Sequence, residues 1–182
     1  MKQIIITIII AIASAMSAKA QVITSETIKN VYETVTNQSK SDFVFNAERT
    51  GNDITTMYIY RKVRSGKDVV TLKPHLKYDY CYAPDGTLSS RVTYRWADAL
   101  DTWSCAARHD FALDGGKYSS SYSRYNPASN SFDQPVDMMV YLLMPYDSVS
   151  HVSSYHRNDA TSQFQLVSET IVNSNPILLA EK

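Results

Sequence analysis

The sequence lacks most of the features that mark a known chemistry. It contains no Gly-x-Ser-x-Gly, His-Glu-x-x-His, Gly-x-Gly-x-x-Gly, P-loop or Cys-x-x-Cys motif. The four histidines, His75, His109, His151 and His156, are scattered singly. Charge of one sign is absent too, since 18 basic side chains balance 18 acidic ones. A nucleic-acid binder would show a basic excess or stripe; neither is present, and nucleic acid is not expected as a partner. Beyond the first twenty residues no apolar run reaches the roughly 18 residues of a membrane-spanning helix. The carboxylates Asp85, Asp98, Asp114, Asp147 and Asp159 all fall at expected turns, where an Asp caps its own backbone, and Asp98-Ala99-Leu100-Asp101 offers too few oxygens for an ion. A calcium loop would alternate several of them, so neither a metal nor another cofactor is expected.

Cysteine and glycine are also scarce, at two and five residues. Thirteen tyrosines beside so little glycine point to strands rather than disorder. A pair of cysteines in an exported chain suggests a disulfide. Here the strand order argues against one. Cys81 and Cys105 fall on strands separated by a third, about 10 Å apart, and disulfides need Cα atoms within about 7 Å. Two free thiols are expected.

What is present begins with residues 1–20, which read as a secretory signal peptide: a basic start at Lys2, an apolar run from Ile4 to Ala13, and the small-x-small site Ala18-Lys19-Ala20. No cysteine follows the apolar run, so no lipoprotein anchor is expected; the destination is periplasmic or secreted. Without Lys2 and Lys19 the 18 basic side chains become 16, against 18 acidic, a formal charge of about −2. A domain of this length can be stable without disulfides or metals.

Residues 21–75 are expected to form an N-terminal β-rich segment. Ser25 could cap a helix carrying Ile28, Val31, Tyr32 and Val35 on one face, although the β-branched content after Val31 favours strand. Phe43–Phe45 and Thr55–Val63 read as strands, with a turn at Arg64–Asp68. Residues 76–172 read as a meander of repeated hairpins. Trp96-Ala97-Asp98-Ala99-Leu100-Asp101-Thr102-Trp103 returns around Tyr125 to Phe132 and around Arg157 to Phe164, with Ala99, Ala128 and Ala160 aligned. Each segment is expected to pair its first and last residues across a six-residue turn. A three-residue Pro84-Asp85-Gly86 loop would set Tyr82 opposite Leu88 and Tyr78 opposite Val92, with Leu88, Val92, Tyr94 and Trp96 on one face. A two-residue Asp114-Gly115 loop makes the next hairpin. Tyr125 departs from the parity of Tyr118 and Tyr122, so either a bulge intervenes or it faces away. Met138–Met144 is apolar at both parities, as in a strand covered on both faces. Residues 173–182 form a tail containing Ile177–Ala180.

Lys77-Tyr78-Asp79-Tyr80-Cys81-Tyr82, the Asp-Gly turn, Arg95-Trp96 and Trp103 together resemble a family of secreted proteins from Bacteroides-type gut bacteria, filed as a domain of unknown function (number 3836). The likeness covers roughly residues 76–172. It implies export and a β-rich fold and carries no activity.

The expected fold is all-β: an antiparallel twisted meander of about eight to ten strands, partly curled or sandwiched and built from repeated hairpins. The candidate ligand-binding residues are Trp96, Trp103, Tyr125 and Phe132. Exposed, they make a stacking platform for sugar rings or a partner's apolar groups; buried, they are the cross-strand core of the hairpins. The expected function is an exported non-enzymatic module that binds glycan or a cell-envelope protein. One alternative is a hydrolase that brings His109 or His156 to a separated Ser and Asp. Another is a self-associating structural protein with an unprotected edge near Val31–Val35 or the tail. Asp147-Ser148-Val149 matches a bacterial O-glycosylation acceptor.

Overall fold

The computed structural model describes residues 22–38, 41–65, 69–142 and 149–173. The expected signal peptide, residues 66–68 of the expected turn, Asp147-Ser148 of the glycosylation triplet and the Ile177–Ala180 tail lie outside them. Among the described residues are one helix and ten strands: α1 (Ser25–Thr36), β1 (Phe43–Thr50), β2 (Asp53–Ser65), β3 (Val69–Tyr82), β4 (Leu88–Ala97), β5 (Thr102–Asp114), β6 (Lys117–Asn126), β7 (Ser131–Phe132), β8 (Asp137–Leu142), β9 (Val149–Arg157) and β10 (Phe164–Asn173). The fold is an all-β antiparallel meander in which the sheet follows chain order and the short β7 pairs with β6. No described helix is long and apolar enough to cross a membrane.

Two compact units divide the chain. One consists of Ile23–Phe111 and Tyr122–Pro135. Its core joins Ile28 from α1 to Ile54, Met57, Tyr80 and Leu88 from the sheet, with Phe45, Ala47, Tyr78 and Tyr82 packed against them. In the other, β8, β9 and β10 pair in sequence, and Tyr118 lies against Tyr141 at a ring distance of 6.0 Å. Met138 to Leu142 are half-buried at both parities.

Helix α1 corrects the expectation of strand after Val31. Thr24, rather than Ser25, is the N-cap. It exchanges two 3.3 Å bonds with Thr27, the backbone N–H of each residue donating to the hydroxyl of the other. The apolar residues recur at three- and four-residue spacing, so a helix buries them together on β1 and β2 where a strand would split them between faces. Tertiary packing thereby outweighs the β-branched propensity. The helix start is also tied to the β3–β4 turn: Ser25 N–H donates to the Gly86 carbonyl at 2.9 Å and Leu88 N–H to that of Ile23 at 2.8 Å. We expect Thr24→Ala to cost about 1 kcal/mol in urea unfolding; an unchanged midpoint would show that the strand-side bonds alone hold the helix start.

Four bulges decide which residues share a face in the larger unit. Thr55 is extra in β2, so Ile54 and Met57, three apart, both point to the helix. His75 is extra in β3, beside Pro74, which has no N–H for a ladder. Ser89 is extra in β4 and Ala106 in β5. The Pro84–Gly86 loop forms as expected, closed by Ala83 N–H on the Thr87 carbonyl at 2.8 Å, with Gly86 at φ +81° and Tyr82 opposite Leu88. The Ser89 bulge then places Tyr80 opposite Arg91 and Tyr78 opposite Thr93, not Val92. Leu88 therefore faces the helix, while Val92, Tyr94 and Trp96 face the other way. The next two-residue loop is Gly115-Gly116, one position beyond the expected Asp114-Gly115, and both glycines take the positive φ of a type I′ turn, +53° and +79°.

All three repeated segments pair as expected: Trp96 with Trp103, Tyr125 with Phe132 and Arg157 with Phe164. Each turn holds a left-handed residue two positions after the aligned alanine, at Asp101, Asn130 and Ser162, with φ of 49°, 52° and 56°. Cys81 and Cys105 are free thiols.

Candidate functional site

The face of the larger unit turned away from α1 carries both tryptophans and the Lys77–Asp79 and Arg108–Asp110 pairs. Val92, Tyr94 and Trp96 come from β4; their cross-strand partners Lys77 and Asp79 come from β3, and Trp103, Cys105 and Arg108 from β5. Trp96 and Trp103 meet edge to face at 5.1 Å and 75°, a geometry worth about 0.5–1.5 kcal/mol beyond area burial. Trp103 also lies 6.1 Å from the ring of Tyr58 on β2. In a flat sheet β2 and β5 would stand about 14 Å apart. Rings meeting across two intervening strands imply that these strands curl toward the aromatic face.

Within that curl lies a polar group that pattern reading missed. Lys77 Nζ sits 3.9 Å from the Tyr94 ring centroid and 3.0 Å from Asp79 Oδ2. The Lys77 side chain is only 18% exposed and that of Asp79 31%, so the ammonium is held over a ring face in a partly dry setting where a cation–π contact gains strength. Thr56 Oγ1 donates to Asp79 Oδ1 at 3.0 Å, and the Tyr58 hydroxyl donates to Glu48 Oε1 at 3.0 Å. Burial pushes the Tyr94 phenol up to about 12, helped by the charge of Asp79 and a hydrogen bond to it.

Tyr125 and Phe132 form a second edge-to-face pair, at 5.5 Å and 69°. Arg108, itself paired with Asp110, stands 5.8 Å over the Phe132 ring. Tyr122, three residues earlier, contacts His109, which belongs to the helix-side parity of β5; Tyr125 thus faces away from Tyr122. The four residues singled out from sequence occur as two real pairs on the aromatic face, each residue half-buried. Tyr58, Lys77, Asp79 and Tyr94 join them. The signal for Lys77 and Asp79 was their alternation with Tyr78, Tyr80 and Tyr82; nothing local announced Tyr58.

The histidines have other partners. His109 Nδ1 lies 3.2 Å from Arg91 Nη2, with Phe111 and Tyr122 against the ring. Burial first and the Arg91 charge second lower its pKa to about 3. His156 Nδ1 is 2.7 Å from Asp137 Oδ1 on the adjacent strand, and both side chains are more than half exposed. Neither imidazole has a serine among its hydrogen-bond partners in the described residues. A cavity of about 230 Å³ lies near the end of α1, lined by Val35, Thr36, Phe43, Phe45 and Lys62 among others.

Among solved structures, a protein of unknown function from Bacteroides fragilis is similar to this chain, with a TM-score of 0.62 at 24% identity; the match covers 78% of this chain and 97% of that one. A DUF3836 family protein from Parabacteroides distasonis matches 54% of this chain and 88% of its own at 18% identity and a TM-score of 0.48. Another, from Bacteroides vulgatus, matches 50% and 89% at 14% and 0.45. No curated protein matches. The first likeness shows a shared fold, in accord with the ten-stranded meander. A family model extends over residues 1–143, taking in the Lys77–Asp79 strand and both aromatic pairs, and the chain belongs to the family it describes, the Family of unknown function (DUF3836).

Proposed function

We propose that the chain is an exported, non-enzymatic binding module whose aromatic face takes a carbohydrate. The observation that carries this reading is the curled surface on which Tyr58, Trp96 and Trp103 meet beside the Lys77–Asp79 pair. Ring faces offer apolar area to the C–H side of a sugar, while the ammonium and carboxylate offer a donor and an acceptor to its hydroxyls. A few fixed polar groups among apolar ones is the usual composition of a small-molecule site. Tyr and Trp suit it because each joins an apolar body to a polar handle.

The test is a thermal-stability screen of the chain from Gln21 onward against a panel of neutral glycans, with tryptophan fluorescence recorded in parallel. At a hundredfold excess over Kd a ligand of the folded state adds about 2.7 kcal/mol, which raises Tm by roughly 5–10 °C for a chain of this size. The expected result is a glycan that does so and shifts the tryptophan emission, with Trp103→Ala weakening it more than tenfold while unfolding stays cooperative. A panel without a hit, or a hit indifferent to Trp103→Ala, would remove the aromatic face as a sugar site and turn the search to envelope proteins.

A further inference from the structure

The opposite face of the same unit holds a cluster of cations beyond α1. Arg61 on β2 pairs directly with Lys73 on β3 and with Phe43 on β1, and Arg95 on β4 pairs with Leu76, which in turn pairs with the core residue Ile59. That register puts Arg61, Lys73 and Arg95 on the helix-packed side. The bulge residue His75 joins them, its ring stacked on Phe43 at 5.5 Å and 28°. All four are exposed. None of Arg61, Lys73 and Arg95 belongs to an ion pair found among the described residues. The pKa of His75 is lowered by burial and then by Arg61 and Arg95, so the charges acting on it are both positive.

Like charges directly opposite in a sheet are destabilising. This unit nevertheless sets Arg61 against Lys73 with Arg95 two strands away, about 10 Å from β2. We infer that the Arg61–Lys73–Arg95 face binds a polyanionic glycan, one whose sulfate or carboxylate groups recur along the polymer. The spread of the cations over β2, β3 and β4 supports a polymer with recurring anionic groups. The stacked Phe43–His75 pair supports a saccharide, because it sets an aromatic platform on the same face, with Phe43 directly beside Arg61. Arginine suits the role, since its guanidinium meets sulfate or carboxylate with two parallel hydrogen bonds. This surface is distinct from the aromatic face, and its test is independent of that one.

The probe is dextran sulfate, with uncharged dextran as its control, titrated against the chain from Gln21 onward at low salt and at 0.5 M salt. The chain is expected to bind dextran sulfate far more tightly than dextran, and to weaken steeply with salt as exposed charges are screened. Arg61→Gln combined with Arg95→Gln should lower the affinity more than tenfold, and Lys73→Gln alone should lower it severalfold. Trp103→Ala should leave it unchanged. The charge-matched pair Arg64→Gln with Lys117→Gln, both exposed elsewhere, should stay within twofold of the wild type. An equal loss in that control pair would reduce the effect to net charge and overturn the assignment. Failure to bind dextran sulfate would overturn it too, as would binding only to anionic phosphatidylserine vesicles.

Discussion

Acidification from pH 6.5 to pH 3 is expected to remove roughly 3–5 kcal/mol of stability through His109 alone, at about 1.4 kcal/mol per pH unit. The imidazole is a base whose folded-state pKa, about 3, lies well below its ordinary value. The unfolded chain therefore takes up the proton first. The stability His109 contributes is complete above pH 6.5 and is lost as pH falls toward its folded pKa. The cause is visible in its surroundings: Arg91 from β4 presents Nη2 to Nδ1 at 3.2 Å, and Phe111 and Tyr122 cover the ring. As acceptor of the guanidinium N–H, Nδ1 cannot also carry a proton. Arg91 is itself held 4.9 Å over the Tyr78 ring, and its Nε is buried with no hydrogen-bond partner among the described residues. His109→Gln keeps a neutral acceptor and removes the titration. Urea midpoints measured from pH 7 to pH 4 should fall steeply in the wild type and more gently in the variant, the curves converging toward acid. Parallel curves would mean that His109 is solvated in the folded chain.

The hairpin mouths were legible because a cross-strand pair and its turn are local. Trp96–Trp103, Tyr125–Phe132 and Arg157–Phe164 each lie within eight residues of chain, and the alignment on Ala99, Ala128 and Ala160 fixed them together. Bulges were not legible. Thr55, His75, Ser89 and Ala106 are ordinary strand residues, and each one reverses the parity of everything beyond it. Even spacing consequently grouped Leu88 with Trp96, which belong to opposite faces. The β-branched stretch of α1 misled for a different reason: its helicity comes from packing on β1 and β2 and from the Thr24 cap. The site divides the same way. Its tryptophans announced themselves, but Tyr58 reaches Trp103 from 45 residues away in the chain only because the strands curl.

Replacing Ile54 by Ala should cost about 3–4 kcal/mol, within the range for truncating a buried aliphatic side chain. Ile54 is 0% exposed and, among the described residues, the largest side chain so fully enclosed. It joins Ile28 of α1 to Met57, Tyr80 and Leu88, so the loss falls where helix and sheet meet. Its own carbonyl accepts the Tyr82 hydroxyl at 2.8 Å; that bond survives the substitution because the backbone supplies it. Met57 is flexible enough to fill part of the cavity, which keeps the expected cost below the upper end of the range. Against a total of about 5–15 kcal/mol for a typical domain, the change removes a large share of stability. Leu100, 71% exposed in the first hairpin turn, serves as the contrast: Leu100→Ala should stay within about 0.5 kcal/mol. The comparison is made by urea unfolding followed by far-ultraviolet circular dichroism. A loss below about 1 kcal/mol for Ile54→Ala would mean that α1 is not packed on this face in solution, and the Thr24 cap would then have no tertiary structure to support.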